Sequence, residues 1–301
     1  MMDFVTAAQA AFGADRVRSN VVLAPLTTFR VGGPADWLIE TRNSDEIVAL
    51  LRLATASSVP ATILGGGSNV LVGDRGIRGV VVKLGRGFRR VEWAGDGARA
   101  GAAVQLARLA RAAVTRELAG LEYAEGIPGT VGGALFMNAG AYGGEMAGTV
   151  ETVEGVTREG ERMSFGREAL AFGYRRAGLP SGVIVTAVRF ALRREDAVAL
   201  NGRMDGVRAR RTASQPQGKA SAGSIFKNPS RDHAGRLIEA AGLKGARIGR
   251  ARISERHANF IVNEGGAYAE DVKALMDLAQ RAVWERSGVW LEPEVQLIGS
   301  W

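Results

Sequence analysis

The sequence predicts an α+β chain built from two or three compact domains. Its 301 residues exceed one small module and suit that number of domains. β-branched apolar runs and amphipathic helical stretches alternate along its whole length. Glycine accounts for 41 residues, about twice the usual share of ~7%. There is no Gly-X-Y period, so the excess points to tight turns and backbone that approaches ligands closely. Apolar residues at 46% can build real cores, and charged residues at 23% argue against global disorder.

The elements follow in order. Residues 44–58 read as a helix: Ser44 can cap it, Asp45 and Glu46 suit its first turn, and Ile47, Leu50, Leu51 and Ala54 share one face. Residues 61–64 read as a short strand entering a triple glycine, and 79–84 as a second strand. Residues 104–118 read as an Ala- and Arg-rich helix, with Gly120 where a C′ glycine belongs. Residues 183–190 are β-branched and predict a strand. Residues 197–212 predict a helix weakened by Gly202 and Gly206, and 235–241 a short helix stopped by Gly242. Strands are expected at 257–263 and 291–298, the latter closing the chain. Between them, 270–286 carries Val272, Leu275, Met276, Ala279 and Val283 on one helical stripe. Domain boundaries are expected near residue 67 and at 195–200, giving 1–67, 68–196 and 197–301, with the last strand able to return to the first lobe.

Composition excludes several chemistries. Without cysteine there is no disulfide framework, thiol nucleophile, iron–sulfur cluster or cysteine-ligated zinc. With only His233 and His257, a multi-histidine metal site is not expected. Residues 1–12 hold Asp3 and no base, so no secretory n-region is expected. No run of about 18 apolar residues predicts a membrane span, and a reducing cytoplasm is the expected location. Lys plus Arg is 39 and Asp plus Glu is 31, a net charge of +8. That balance suits nucleic acid or an anionic small ligand. The arginines are scattered apart from Arg208, Arg210 and Arg211, and no nucleic-acid motif spacing is present.

Four segments could carry chemistry. In Gly65-Gly66-Gly67-Ser68-Asn69 a strand runs into glycines whose successive N–H groups can form a nest for phosphate oxygens. It lacks both the G-x-G-x-x-G spacing and the Gly-Lys-Ser/Thr of a P-loop, and alone it also reads as a plain turn. Residues 125–134, Glu-Gly-Ile-Pro-Gly-Thr-Val-Gly-Gly-Ala, continue to Asn-Ala-Gly-Ala-Tyr-Gly at 138–143. They read as backbone laid against an extended ligand, and two phosphate-type loops imply a large dinucleotide cofactor. In Ser-Ala-Gly-Ser-Ile-Phe-Lys-Asn-Pro at 221–229, Ser224 sits between a glycine and apolar residues. No histidine adjoins it and G-x-S-x-G is absent, so a serine hydrolase is a poor reading and a turn serine remains open. In Leu-Glu-Pro-Glu-Val at 291–295 two carboxylates would face one side of a strand, which also fits exposed edge charge.

Taken in order, TTFRVGG at 27–33, GGGSN at 65–69, GIPGTVGG at 126–133, NAGAYG at 138–143, FGYR at 172–175, SAGSIFKNP at 221–229, HANFIVN at 257–263 and LEPEV at 291–295 closely resemble the UDP-N-acetylenolpyruvoylglucosamine reductase (MurB) family. The resemblance runs from about residue 25 to the end. No long insertion separates FGYR from SAGSIFKNP, as in the shorter form of the family, which lacks a tyrosine-bearing lid loop.

The resemblance implies a two-lobed FAD-binding domain of the p-cresol methylhydroxylase/vanillyl-alcohol-oxidase type, followed by a C-terminal α+β substrate domain. It implies one non-covalent FAD held by Arg30, Gly65, Gly66, Gly67, Ser68, Asn69, Ile127, Pro128, Gly129, Thr130, Val131, Gly132, Gly140, Ala141 and Tyr142. It implies reduction of the enolpyruvyl ether of a UDP-sugar by NADPH, with Ser224 as proton donor and Arg175 and Glu294 stabilising an enolate. Tyr174, Arg211, Lys227 and Asn228 would contact the substrate. A monomer with no resident metal and no nucleic-acid or membrane partner is expected. An FAD oxidase of the same superfamily, which has no need of Ser224, and a polyanion-binding module remain as alternatives. His257 reads as a structural histidine bonding a turn.

Overall fold

A computed structural model describes residues 3–301. The chain divides into two compact units. The first comprises the residues up to Ser19, Trp37–Gly66 and Gly79–Arg210; the second comprises Asn20–Asp36, Gly67–Arg78 and Arg211–Trp301. Two short N-terminal segments thus belong with the C-terminal third, which no shift in local composition marks. The reading of the N-terminus as lacking a secretory n-region extends to Met1 and Met2, which lie outside the described residues. No described helix is long and apolar enough to cross a membrane.

In the first unit, Ala61–Ile63 runs parallel to Ile77–Leu84, with Ile63 opposite Val82. The pair belongs to a four-stranded sheet ordered Val17–Val22, Pro34–Thr41, Ile77–Leu84, Ala61–Ile63. Helices α1 (Phe4–Phe12) and α2 (Ser44–Ala56) cover it, packing Phe4, Phe12 and Leu50 on Ile39, Val80 and Val82. The α2 stripe is buried as its spacing predicts, but Asn43 rather than Ser44 caps the helix, its Oδ1 accepting from Glu46 N at 2.9 Å.

Five antiparallel strands form the second sheet of this unit, ordered Arg162–Gly166, Val150–Val156, Ile184–Ala191, Gly97–Gly101, Val91–Ala94. Helices α3 (Leu106–Val114) and α4 (Val131–Phe136) bury Leu106, Leu109, Val131 and Leu135 against Val153, Val188 and Phe190. Helix α3 stops four residues short of the expected end. Glu117 turns left-handed at φ 59°, and Leu118–Ala119 leaves as a strand paired with Arg193–Arg194. Gly120 is therefore not a C′ residue: its N–H goes to Glu122 Oε2 at 2.6 Å. Ile47, Leu51, Phe88, Val156 and Ile184 pack together between the two sheets. Helix α5 (Ala197–Ser214) buries Leu200 and Met204 on Val114 and Ala119.

The second unit packs helices α6 (Ala234–Ala240) and α7 (Ala269–Ser287) on a sheet of Arg247–Ile248, Ala251–Ile253 and Ile261–Asn263. Its core joins Ile225, Phe226, Leu237, Ile253, Leu275 and Met276. The Asp74 carboxylate accepts from Ala269 N at 2.8 Å and Glu270 N at 3.0 Å, satisfying two N-terminal donors of α7. Gly288 ends the helix in the left-handed region at φ 67°.

Two expected strands shrink. Only Ile261–Asn263 is strand in HANFIVN, because His257 makes a turn in which its Nδ1 accepts from Asn259 N at 3.3 Å. Burial depresses the His257 pKa, with Lys244 adding to the shift. The final strand is only Gln296–Ile298, paired in parallel with Val70–Val72. Proline cannot donate to a ladder, and Pro293 makes only an isolated bridge to Phe226.

Candidate active site

In the first unit the two glycine-rich loops meet. A Cβ on Gly66 would lie 2.8 Å from Gly129 Cα, and one on Gly65 would lie 3.2 Å from Thr130 Oγ1. Only glycine permits that approach at residue 66. Among the described residues, nothing accepts from the N–H groups of Gly65, Gly66 and Gly129. Donors left open on two touching loops fit a diphosphate, whose oxygens accept several bonds at once. The residues present therefore fit the FAD that the motifs imply. Lys83 Nζ donates to the Gly65 carbonyl at 2.5 Å. Because a trans peptide sets C=O and N–H on opposite sides, this bond also directs the Gly66 N–H. Burial depresses the Lys83 pKa, with Glu40 opposing and Arg89 reinforcing the shift.

The segment before the second loop is anchored by charge. The buried Glu125 takes Arg111 from α3 in a two-bond fork at 2.9 Å, and Arg208 from α5 at 3.1 Å. Burial would raise the Glu125 pKa, but the hydrogen bonds and charges of Arg111 and Arg208 outweigh it and hold the carboxyl below its ordinary value. Glu122 likewise accepts from Arg203 at 2.7 Å.

NAGAYG and FGYR are tied together in the same unit. Asn138 Nδ2 donates to the Gly173 carbonyl at 3.0 Å, and Arg175 donates back to the Gly140 carbonyl at 3.2 Å. Gly173 and Arg176 exchange backbone hydrogen bonds, so Tyr174 and Arg175 are the two central residues of a tight turn. Arg175 is held at φ 57° there, a conformation that costs a non-glycine residue about 1–2 kcal/mol. Its guanidinium lies 5.0 Å from the Tyr174 ring centroid. Tyr142, also left-handed at φ 51°, stacks with Arg210 at 4.7 Å.

In the second unit asparagines stitch the remaining motifs. Thr28 donates its N–H to the Gly67 carbonyl at 2.9 Å and its hydroxyl to the Ser221 carbonyl at 2.7 Å. Asn263 Nδ2 donates to the carbonyls of Phe29 at 3.1 Å and Arg30 at 3.2 Å. Asn69 Nδ2 donates to the Glu294 carbonyl at 3.0 Å, and Glu294 N donates to the Ile225 carbonyl at 2.8 Å. Ser224, half-buried after Gly223 at φ 77°, bridges Phe260. Lys227 pairs with Glu292 at 2.5 Å, and Asn228 Oδ1 accepts from Ala234 N at 3.1 Å.

The named residues are therefore distributed as follows. The first unit holds Gly65, Gly66, the 127–132 loop, Gly140, Ala141, Tyr142, Tyr174 and Arg175. The second holds Arg30, Gly67, Ser68, Asn69, Arg211, Ser224, Lys227, Asn228 and Glu294. Sequence reasoning passed over Lys83, Asn138, Asn259 and Asn263. The asparagines carried a signal: a polar amide inside an apolar run such as HANFIVN needs buried partners.

Residues 35–166 match the FAD binding domain family, and residues 215–298 match the C-terminal domain of UDP-N-acetylenolpyruvoylglucosamine reductase. UDP-N-acetylenolpyruvoylglucosamine reductase 2 of Symbiobacterium thermophilum is 47% identical, over 94% of this chain and 92% of that protein. The reductase of Myxococcus xanthus is 46% identical, over 95% and 94%. The crystal structure of the Thermus caldophilus reductase aligns with a TM-score of 0.83 at 41% identity, over 94% of this chain and 98% of that one. Alkyldihydroxyacetonephosphate synthase shares the fold alone, with a TM-score of 0.50 and 16% identity over 64% of this chain and 40% of that one. The fold is α+β, with an FAD-binding domain of the p-cresol methylhydroxylase/vanillyl-alcohol-oxidase type and a C-terminal α+β domain. With relatives this similar along nearly its full length, the chain belongs to the UDP-N-acetylenolpyruvoylglucosamine reductase family of FAD-dependent oxidoreductases.

Proposed function

We propose that the protein reduces UDP-N-acetylglucosamine enolpyruvate to UDP-N-acetylmuramate with electrons from NADPH, a step of peptidoglycan precursor synthesis in the cytoplasm. The observation that carries this reading is the meeting of the two glycine loops through Gly66 and Gly129, with glycine N–H groups open to a diphosphate. Held non-covalently by the glycine loops at 65–69 and 127–132, FAD would supply the hydride chemistry that links NADPH to C3 of the enolpyruvyl group. We assign residues 1–67 and 68–196 to the lobes that hold it and 197–301 to the substrate, with residues 20–36 and 67–78 joining the compact unit of the C-terminal third. The protein acts as a monomer. The surplus of 39 basic over 31 acidic residues attracts a diphosphate-bearing substrate and a phosphorylated nicotinamide donor.

Hydride addition at C3 pushes an electron pair onto C2 and the adjoining carboxylate. The Arg175 guanidinium and the Glu294 carboxylic acid, which donates its proton in a hydrogen bond, bind that carboxylate and stabilise the charge as it develops. The Ser224 hydroxyl then delivers its proton to C2 and recovers one from solvent. A serine hydroxyl is a weak acid, but an enolate is a strong base, so placement outweighs matched pKa. Being neutral, the hydroxyl is also cheaper to desolvate than a charged donor. Lys227 and Asn228 bind the diphosphate and sugar, and Tyr174 and Arg211 line the same substrate.

Single-turnover kinetics test the assignment. Ser224→Ala should take hydride from NADPH at the wild-type rate but pass it to substrate at least ~100-fold more slowly. Normal turnover by Ser224→Ala would instead favour a flavin oxidase of the same superfamily.

A further inference from the structure

Asn138 follows α4 at the left-handed φ of 41°, a position where asparagine or glycine commonly ends a helix. A helix stop needs only that backbone angle. The side chain does more. Asn138 is fully buried, its Oδ1 accepts from Ala147 N at 3.0 Å, and its Nδ2 donates to the Gly173 carbonyl at 3.0 Å. Gly173 opens the four-residue turn, closed by Arg176, that carries Arg175 at φ 57°. An arginine resists that backbone conformation, so the turn persists only where its surroundings hold it. Arg175 in turn reaches the Gly140 carbonyl, two residues past Asn138. The amide and the guanidinium thus form a reciprocal pair of ties between the same two segments.

We infer that Asn138 is a positioning residue for Arg175: its amide holds the Gly173 carbonyl and so keeps the strained turn in the form that presents the guanidinium. This rests on the role proposed above for Arg175. The arginine acts when charge develops on the substrate carboxylate, so loss of its positioning should slow hydride transfer to substrate and spare reduction by NADPH.

Asn138→Gly separates the two roles, because glycine keeps the helix stop and removes both side-chain hydrogen bonds of the asparagine. Asn138→Asp retains the acceptor for Ala147 N but loses the donor to Gly173. In stopped-flow measurements each variant should bind FAD with wild-type affinity and accept hydride from NADPH at the wild-type rate. Transfer to UDP-N-acetylglucosamine enolpyruvate should slow by about 10- to 100-fold, the scale of a misplaced catalytic group. In an Arg175→Lys background the same changes should cost less than about threefold more, since residues acting as one unit are not additive. Equal slowing of both half-reactions, loss of folding or FAD binding in both variants, or wild-type transfer by Asn138→Gly would each overturn the inference and leave a structural asparagine. If wild-type protein itself fails to pass hydride to the substrate, the proposed function falls, and the inference with it.

Discussion

The side chain of Asn259 pairs with the Phe226 peptide from both sides: its Oδ1 accepts the Phe226 N–H at 2.9 Å and its Nδ2 donates to the Phe226 carbonyl at 2.8 Å. An amide here completes a short ladder that the backbone cannot supply, two residues beyond Ser224. Removing it leaves a buried donor and a buried acceptor unmet, each worth about 1–3 kcal/mol. Asn259→Ala should therefore lower unfolding free energy by about 2–6 kcal/mol in urea titrations. Asn259→Asp, which keeps the acceptor, should cost less than the alanine. An Asn259→Ala protein as stable as wild type would show the pairing to be dispensable.

The Gly66 approach to Gly129 makes a sharper prediction about the cofactor. Gly66→Ala places a methyl 2.8 Å from Gly129 Cα, closer than van der Waals contact allows. The loops must separate, so FAD affinity measured by flavin fluorescence should fall by about tenfold or more while far-ultraviolet circular dichroism stays unchanged. Unaltered affinity would place the flavin elsewhere.

Glu125 sets part of the acid stability. Its folded pKa lies below its unfolded value because Arg111 and Arg208 outweigh burial. Its contribution is therefore present above the unfolded carboxylate value of about 4.3 and is lost as pH falls through the folded value. Glu125→Gln should flatten the acid limb of a stability–pH curve and leave its slope above pH ~6 unchanged. The substitution should cost about 1–3 kcal/mol near neutrality, since both arginines are half exposed and can turn to water. An acid limb as steep as that of wild type would remove Glu125 from this role.

Asp74 supplies the cap of α7 from a distant point in the sequence. Asp74→Ala should cost about 1 kcal/mol, and Asp74→Asn less, because the amide oxygen keeps an acceptor while losing the charge–dipole contribution. Thermal melts that rank the two variants in the opposite order would contradict this origin.

Much of the fold was legible because periodicity reports which side chains are buried. The α2 stripe at Ile47, Leu50, Leu51 and Ala54, and the α7 stripe from Val272 to Val283, are buried as spaced. The end of α3 was not legible, because a tertiary pairing of Leu118–Ala119 with Arg193–Arg194 overrode helical propensity. Nor was the membership of residues 20–36 and 67–78 in the second unit, which depends on bonds such as Asn69 to Glu294, 225 residues apart. The glycine loops and the Ser224, Arg175 and Glu294 motifs could be read as ordered motifs. Asn138, Asn259 and Asn263 lie within such motifs, but their roles were not legible, because they work through hydrogen bonds that only the folded chain creates.

The most direct test follows NADPH consumption by the purified, FAD-loaded protein with and without UDP-N-acetylglucosamine enolpyruvate. Sustained oxidation that depends on the enolpyruvyl substrate, with one NADPH used per UDP-N-acetylmuramate formed, is the predicted result. NADPH consumption indifferent to that substrate, in a protein that shows a bound flavin spectrum, would contradict the reductase reading and move the weight to a flavin oxidase.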